Sequence, residues 1–312
     1  FALAHVMRPW SLPAWRLVLL ASDAATLWLI LSLLAQAGRS PLWSALYWWH
    51  PVLLKEIYNS AHMEVVILPF VLLSLLFALR RRPLLATASL GLAVGAKVWP
   101  AVLLPLILRP WLGRMRILLL ALAIFGGLCA LWLIPIVLGG FDETSGFVAY
   151  VERWKSNSAL FPALETIAQK ALALLSLDPD RAGVAMRLAI AGGVGLFALI
   201  LSRHEFRDTD DLMGRVALVA AALVLLSPAQ FPWYGLWLVP FLAFRPWWGF
   251  VLLAVTVPLY YTAFYFSSSG QPHIFKNGVV WIIWAPVWIL LAVEAILKRQ
   301  RPRPALQAAA AG

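Results

Sequence analysis

Apolar residues gather into stretches at about 13–36, 42–59, 62–79, 84–97, 99–109, 117–139, 184–202, 214–229, 231–245, 247–266 and 279–297. A helix needs about 20 residues to cross roughly 30 Å of hydrocarbon, so the longer stretches read as spanning helices and several are too short to cross unaided. Residues 84–109 read as a broken pair around Pro100, re-entrant in form, because irregular backbone at that depth survives only where it lines a cavity. The pattern predicts an all-α polytopic transmembrane helical bundle of about 9–11 membrane segments, some broken or re-entrant. Residues 1–297 read as one membrane domain with a long loop at 140–183, and 298–312 as a basic, Ala-rich cytoplasmic tail.

Composition agrees with that pattern. Of 312 residues 62% are hydrophobic and 12% charged, against about 45–50% and about 25% in soluble domains. Soluble enzymes, disordered tails and nucleic-acid-binding modules are thereby excluded, despite a net charge of +11. The 17 Trp and 21 Pro suit aromatic belts and broken helices. The lone Cys129 excludes a disulfide framework and a cysteine metal site. The chain opens on Phe1 with nothing that reads as a signal peptide, and is expected to be one whose beginning is missing.

Basic residues set an expected orientation. Arg39, Arg80–Arg82, Arg109, Arg114, Arg116, Arg203, Arg207, Arg215, Arg245 and the tail from Lys298 fall at alternate turns. Placing those turns in the cytoplasm puts Phe1 outside and Gly312 inside, with loops 140–183 and 267–278 facing outward. The turns holding Lys55 to Glu64, Lys97, and Gln230 to Tyr234 then lie at outer helix ends. The tail reads as a membrane-lipid anchor.

Ionisable groups inside spans cost about 2.5–3.5 kcal/mol each and usually face a cavity. The densest cluster holds Lys55, Glu56, Asn59, Ser60, His62 and Glu64. It reads as a pocket rim for sugar hydroxyls or a proton, or alternatively as residues that snorkel, pair and cap a helix. Lys97, before Trp99-Pro100, reads as a cation exposed by broken backbone that suits a phosphate, or as a snorkelling lysine at the interface. Asp23 lies mid-span and is expected to pair with a basic group across the bundle, the alternative being a proton relay; His50 is expected to hydrogen-bond within it rather than to serve in catalysis. Trp154, Lys155 and Asn157 follow charged loop residues that include Arg153, a mixture suited to carbohydrate or to a plain interfacial helix at 163–175. Ser227 to Tyr234 forms a turn in which Gln230 and Tyr234 offer hydrogen bonds. No His, Asp and Glu set has metal spacing, and no cofactor motif is present.

Four segments together resemble glycosyltransferase family 87 and related polyprenyl-phosphate-mannose-dependent mannosyltransferases of the GT-C superfamily. Trp49 to Glu56 running into Asn59 to Glu64 resembles "NP…KE…GSGHxD"; Gly91 to Pro100 resembles "GLA…KxxP". Tyr150 to Phe161 resembles "YxxRWxxNxxLF", and Ser227 to Tyr234 resembles "SPxxxPWY". The resemblance implies a GT-C-like plasma-membrane enzyme that takes a hexose, mannose above all, from a polyprenyl-phosphate sugar on the outer face. The acceptor would be lipid-linked or a polysaccharide. Lys55, Asn59, His62, Glu64, Lys97, Arg153, Trp154, Asn157, Gln230, Trp233 and Tyr234 would bind substrate. Glu64 stands where Asp is common and His50 where Asn is common. The family's catalytic carboxylate would precede Phe1, leaving Glu56 and Glu64 as the candidates within the chain. A transporter or flippase of lipid-linked saccharides is the competing reading. Against it, no inverted repeat is visible.

Overall fold

The computed structural model describes residues 2–140 and 154–300. The described residues are helical, and their extended backbone pairs only in a parallel bridge between Ser156 and Ala229. Two compact units divide the chain, Phe1–Arg245 and Pro246–Gly312.

In the first unit, helix α1 (Leu12–Gln36) starts where the Ser11 hydroxyl accepts the Ala14 N–H at 3.3 Å, with a proline in its first turn. Its 25 residues extend about 37 Å at 1.5 Å per residue, enough to cross a bilayer. Helices α2 (Pro51–Asn59) and α3 (Met63–Leu79) meet at a bend of 103°. The bend is locked at Ala61, in the left-handed region at φ 55°. Trp15 at the start of α1 donates its indole N–H to the Ala61 carbonyl at 2.9 Å. Helix α4 (Pro83–Ala96) returns beside α3. It stops before Lys97, which is extended at φ −159° and ψ 141°. Pro100 cannot donate to a continuing helix, and the chain proceeds through short turns at Trp99–Leu103 and Leu104–Leu108. The break expected around Pro100 is therefore present.

Helix α5 (Met115–Leu138) packs on α4 along two glycines. A Cβ on Gly91 would meet Leu128 at 2.8 Å, and one on Gly95 would run into the Trp132 ring. Apolar burial does not drive helix association in lipid, so close backbone approach of this kind holds the pair. Helix α6 (Phe161–Leu174) follows within the region expected to be interfacial, and packs on α7 (Pro179–Leu201). Helix α8 (Thr209–Leu226) starts at Asp208, whose carboxylate accepts the Asp211 N–H at 2.8 Å.

The second unit holds α9 (Trp248–Ser268) and α10 (Pro272–Lys298). Gly249 lies against Leu291, and the Trp248 N–H donates to Glu294 at 2.8 Å. Five described helices, α1, α5, α7, α9 and α10, are long and apolar enough to cross, or six spans with the bent α2–α3 pair. The other apolar stretches form shorter helices and broken turns. This is an all-α polytopic membrane protein.

Charge is distributed unequally along the first unit. At the Gln36 end of α1, Arg39 pairs with Asp210 at 3.3 Å and Arg81 pairs with Glu205. Arg109 donates to the Arg203 carbonyl at 2.9 Å. A polar cavity of about 440 Å³ there is lined by residues that include Gln36, Arg81, Phe206 and Asp210. The candidate site lies at the other end of α1.

Candidate active site

His62, Glu64, Lys97, Trp154, Asn157, Gln230, Trp233 and Tyr234, all singled out in sequence, come together from four chain breaks. The α2 backbone opens into a wide turn over Leu54–Asn59, with the Ser60 N–H reaching the Lys55 carbonyl at 3.0 Å. Such π-type turns recur at functional sites because they redirect side chains that a regular helix would keep on one face. Here the turn buries Glu56, 1% exposed, and leaves Lys55 outside. The Lys55 ammonium donates to Ser60 Oγ at 2.7 Å and lies 4.0 Å from Glu56. The Asn59 carbonyl accepts from Arg16 at 3.4 Å, and its side chain is exposed.

Lys97 leaves the end of α4 and meets Glu64 at the start of α3, Nζ to Oε1 2.6 Å. The Glu64 side chain is 2% exposed and that of Lys97 27%. The ammonium also lies 4.5 Å from the Tyr234 ring centre and 5.6 Å from that of Trp237. Coulomb attraction, a charge-assisted hydrogen bond and two aromatic faces thus hold one cation at the break.

Beside this pair runs an aromatic wall. His62 stacks on Trp233 at 4.0 Å, and Trp233 stacks on Phe231 at 4.7 Å. Trp154 meets the Phe231 edge at 5.8 Å, while Tyr234 stacks on Trp237 at 4.4 Å. The wall rests on the turn after α8, where Pro228 and Pro232 prevent regular helix. Asn157, in the left-handed region at φ 55°, donates to the Gln230 carbonyl at 2.9 Å. The Gln230 N–H donates to Ser156 at 2.8 Å, and its side-chain amide caps the Val224 and Leu225 carbonyls at 2.9 and 2.8 Å. Asn157 and Gln230, both buried, join the wall to its support.

Two expectations need correction. Asp23 pairs with no basic group among the described residues: it accepts hydrogen bonds from the Tyr47 hydroxyl at 2.5 Å and from the Tyr58 hydroxyl. Two phenol donors satisfy a buried carboxylate without a countercharge. His50 is buried, yet neither ring nitrogen has a hydrogen-bond partner among the described residues. Arg153 lies outside the described residues.

One cation was missed. Arg187, in α7, donates to the Trp154 carbonyl at 3.2 Å and lies 5.1 Å from the Phe161 ring. Lys155 and Glu165 pair beside it at 2.5 Å. The signal was available, since Arg187 is the one charge inside the apolar run 184–202. Among the described residues no group of three or more His, Cys, Asp or Glu is placed to hold a metal ion.

The profile of glycosyltransferase family 87 matches residues 1–228. No curated protein and no solved structure matches the chain.

Proposed function

The chain belongs to glycosyltransferase family 87, and from that membership we propose that it moves a hexose, mannose in our reading, from a polyprenyl-phosphate donor to a lipid-linked or polysaccharide acceptor. The reaction takes place at the outer face of the plasma membrane. The observation that supports this most is the Lys97–Glu64 pair against the wall of His62, Trp233 and Phe231. Flat rings offer faces for a sugar, and the ammonium suits the donor phosphate. The arginines at the opposite end of the helices favour a cytoplasmic location for that end.

In the proposed reaction the donor phosphate draws Lys97 away from Glu64. The acceptor oxygen forms a bond to the anomeric carbon as the bond from that carbon to the phosphate oxygen breaks. The electron pair leaves with the phosphate, whose growing charge Lys97 stabilises, and the acceptor proton passes to a carboxylate, for which Glu64 is the candidate beside Lys97. Tyr234 holds the lysine, Trp154 faces the sugars, Trp233 is held between His62 and Phe231 as their support, and Lys55 and Asn59 form the rim.

The test is purified full-length protein in lipid nanodiscs with radiolabelled polyprenyl-phosphate-mannose and a lipid-linked mannoside. Transfer is expected, with donor KM raised about 10- to 150-fold in Lys97→Gln, the loss of one charge-assisted contact of about 1.5–3 kcal/mol. Labelled lipid that changes leaflet without any transfer would replace the enzyme by a flippase.

A further inference from the structure

At the end of the helices opposite the candidate site, several arginines have partners. Arg39 pairs with Asp210, Arg81 with Glu205 and Arg215 with Asp211, while Arg109 donates to the Arg203 carbonyl. Arg82, Arg114 and Arg116 differ. Their side chains are exposed and make no hydrogen bond or ion pair with the described residues. No acidic residue stands near them in the chain either, since the sequence carries no Asp or Glu between Glu64 and Asp142.

Helix packing gathers these three cations. Gly91 of α4 lies against Leu128 of α5, and Gly95 lies against Trp132, so the two helices run side by side in the same direction. Their first turns therefore start at the same level. Arg82, the residue before α4, lines an apolar groove of about 330 Å³ together with Pro83, Leu84, Leu85, Ile117 and Leu120. Arg114 opens α5 one turn before Ile117. Arg116 precedes Leu120 by four residues, a spacing at which helical side chains share a face. Guanidiniums from two separate turns thus stand at the mouth of one groove.

The groove is open to lipid. The apolar window of α5 is 6% buried, and Leu85 and Leu120 are 44% and 56% exposed. Arginines that merely flanked a span could snorkel apart into water. Here the close approach of α4 and α5 holds them near one another, where like charges repel and an anion between them removes the repulsion.

We propose that this groove binds an anionic phospholipid, its headgroup phosphate on Arg82, Arg114 and Arg116 and one acyl chain between α4 and α5. The planar fork of arginine matches phosphate oxygens bidentately, and basic pockets between membrane helices take such headgroups. A soluble anion would leave the apolar walls unused, and a zwitterionic lipid brings a cation that these three repel. The lipid ties together the starts of α4 and α5. It belongs to whichever leaflet meets the arginine-rich end, and its binding does not depend on the reaction proposed at the other end.

The test uses the full chain, purified in mild detergent, delipidated, and titrated with dioleoyl phosphatidylglycerol or dioleoyl phosphatidylcholine. Native mass spectrometry reads the bound lipid. The wild type is expected to bind phosphatidylglycerol with a Kd at least about tenfold lower. Each of Arg82→Gln, Arg114→Gln and Arg116→Gln should weaken that binding about fivefold. The triple variant should weaken it about 100-fold, or to the level of phosphatidylcholine if that is reached first. Leu120→Trp narrows the groove and should weaken phosphatidylglycerol with all three charges in place. Arg299→Gln/Arg301→Gln/Arg303→Gln removes the same charge from the tail and should leave the Kd within about twofold, less than one groove contact. All three groove arginines are exposed, and the single variants carry the test if the triple one does not fold. Equal affinity for the two lipids, unaltered affinity in the groove variants, or an equal loss in the tail variant overturns the assignment.

Discussion

Removing Lys97 and removing Glu64 should destabilise the protein unequally, although they are partners in one ion pair. The Lys97→Met change leaves a carboxylate that is 2% exposed without its cation 2.6 Å away. Breaking a buried pair from one side costs about 3–5 kcal/mol, because the remaining charge is neither hydrated nor compensated. Glu64→Gln leaves an ammonium that is 27% exposed and still faces Tyr234 at 4.5 Å. Partial hydration and a cation–π contact of about 0.5–2 kcal/mol reduce that loss to about 1–2 kcal/mol. The double variant carries no buried charge and should fall well short of the sum, with a coupling of about 1–3 kcal/mol. Thermal unfolding of the four proteins in one detergent checks this. The expected order of stability is wild type, Glu64→Gln, the double variant between the two single variants, then Lys97→Met. Equal, additive losses would refute the pair.

Three further outcomes follow from the same geometry. Glu64→Gln should lower the donor KM several-fold, because Lys97 loses its internal competitor, while kcat falls by about 10²–10⁴ with the proton acceptor gone; steady-state kinetics read both. Gly95→Ala should displace Trp132, whose indole N–H bonds the Gly91 carbonyl at 3.0 Å, and cost about 1–3 kcal/mol. Trp132→Leu in the same chain should restore stability, and a Gly95→Ala protein as stable as wild type would contradict the packing. Tyr47→Phe should destabilise more than Tyr58→Phe, since Tyr47 is fully buried and Tyr58 39% exposed, and melting temperatures decide it.

The sequence exposed those features that depend on neighbours in the chain. Pro100 announced the break that frees Lys97, and Pro228 and Pro232 announced the turn that carries the wall. Contacts across the fold were not legible. Glu64 lies 33 residues from Lys97, and no local pattern says that one neutralises the other. Asp23 looked like half of an ion pair because a mid-span carboxylate shows its charge in sequence but not its neighbours, whereas two tyrosine hydroxyls satisfy it. Asn157 and Gln230 offered amides that suit a sugar, but these amides bind backbone carbonyls and fix the turn. Arg187 was hidden by the apolar residues around it, which made its helix read as a plain span.

The central claim, transfer of a sugar at the outer face, is tested most directly in sealed right-side-out vesicles loaded with radiolabelled polyprenyl-phosphate-mannose in the outer leaflet. A membrane-impermeant mannoside is added outside, and in a parallel sample it is enclosed inside. Label should pass to the external acceptor and not to the enclosed one, and Lys97→Gln should slow its appearance. Label on the enclosed acceptor alone would place the site on the cytoplasmic face, and label on neither while the donor changes leaflet would contradict the transfer itself.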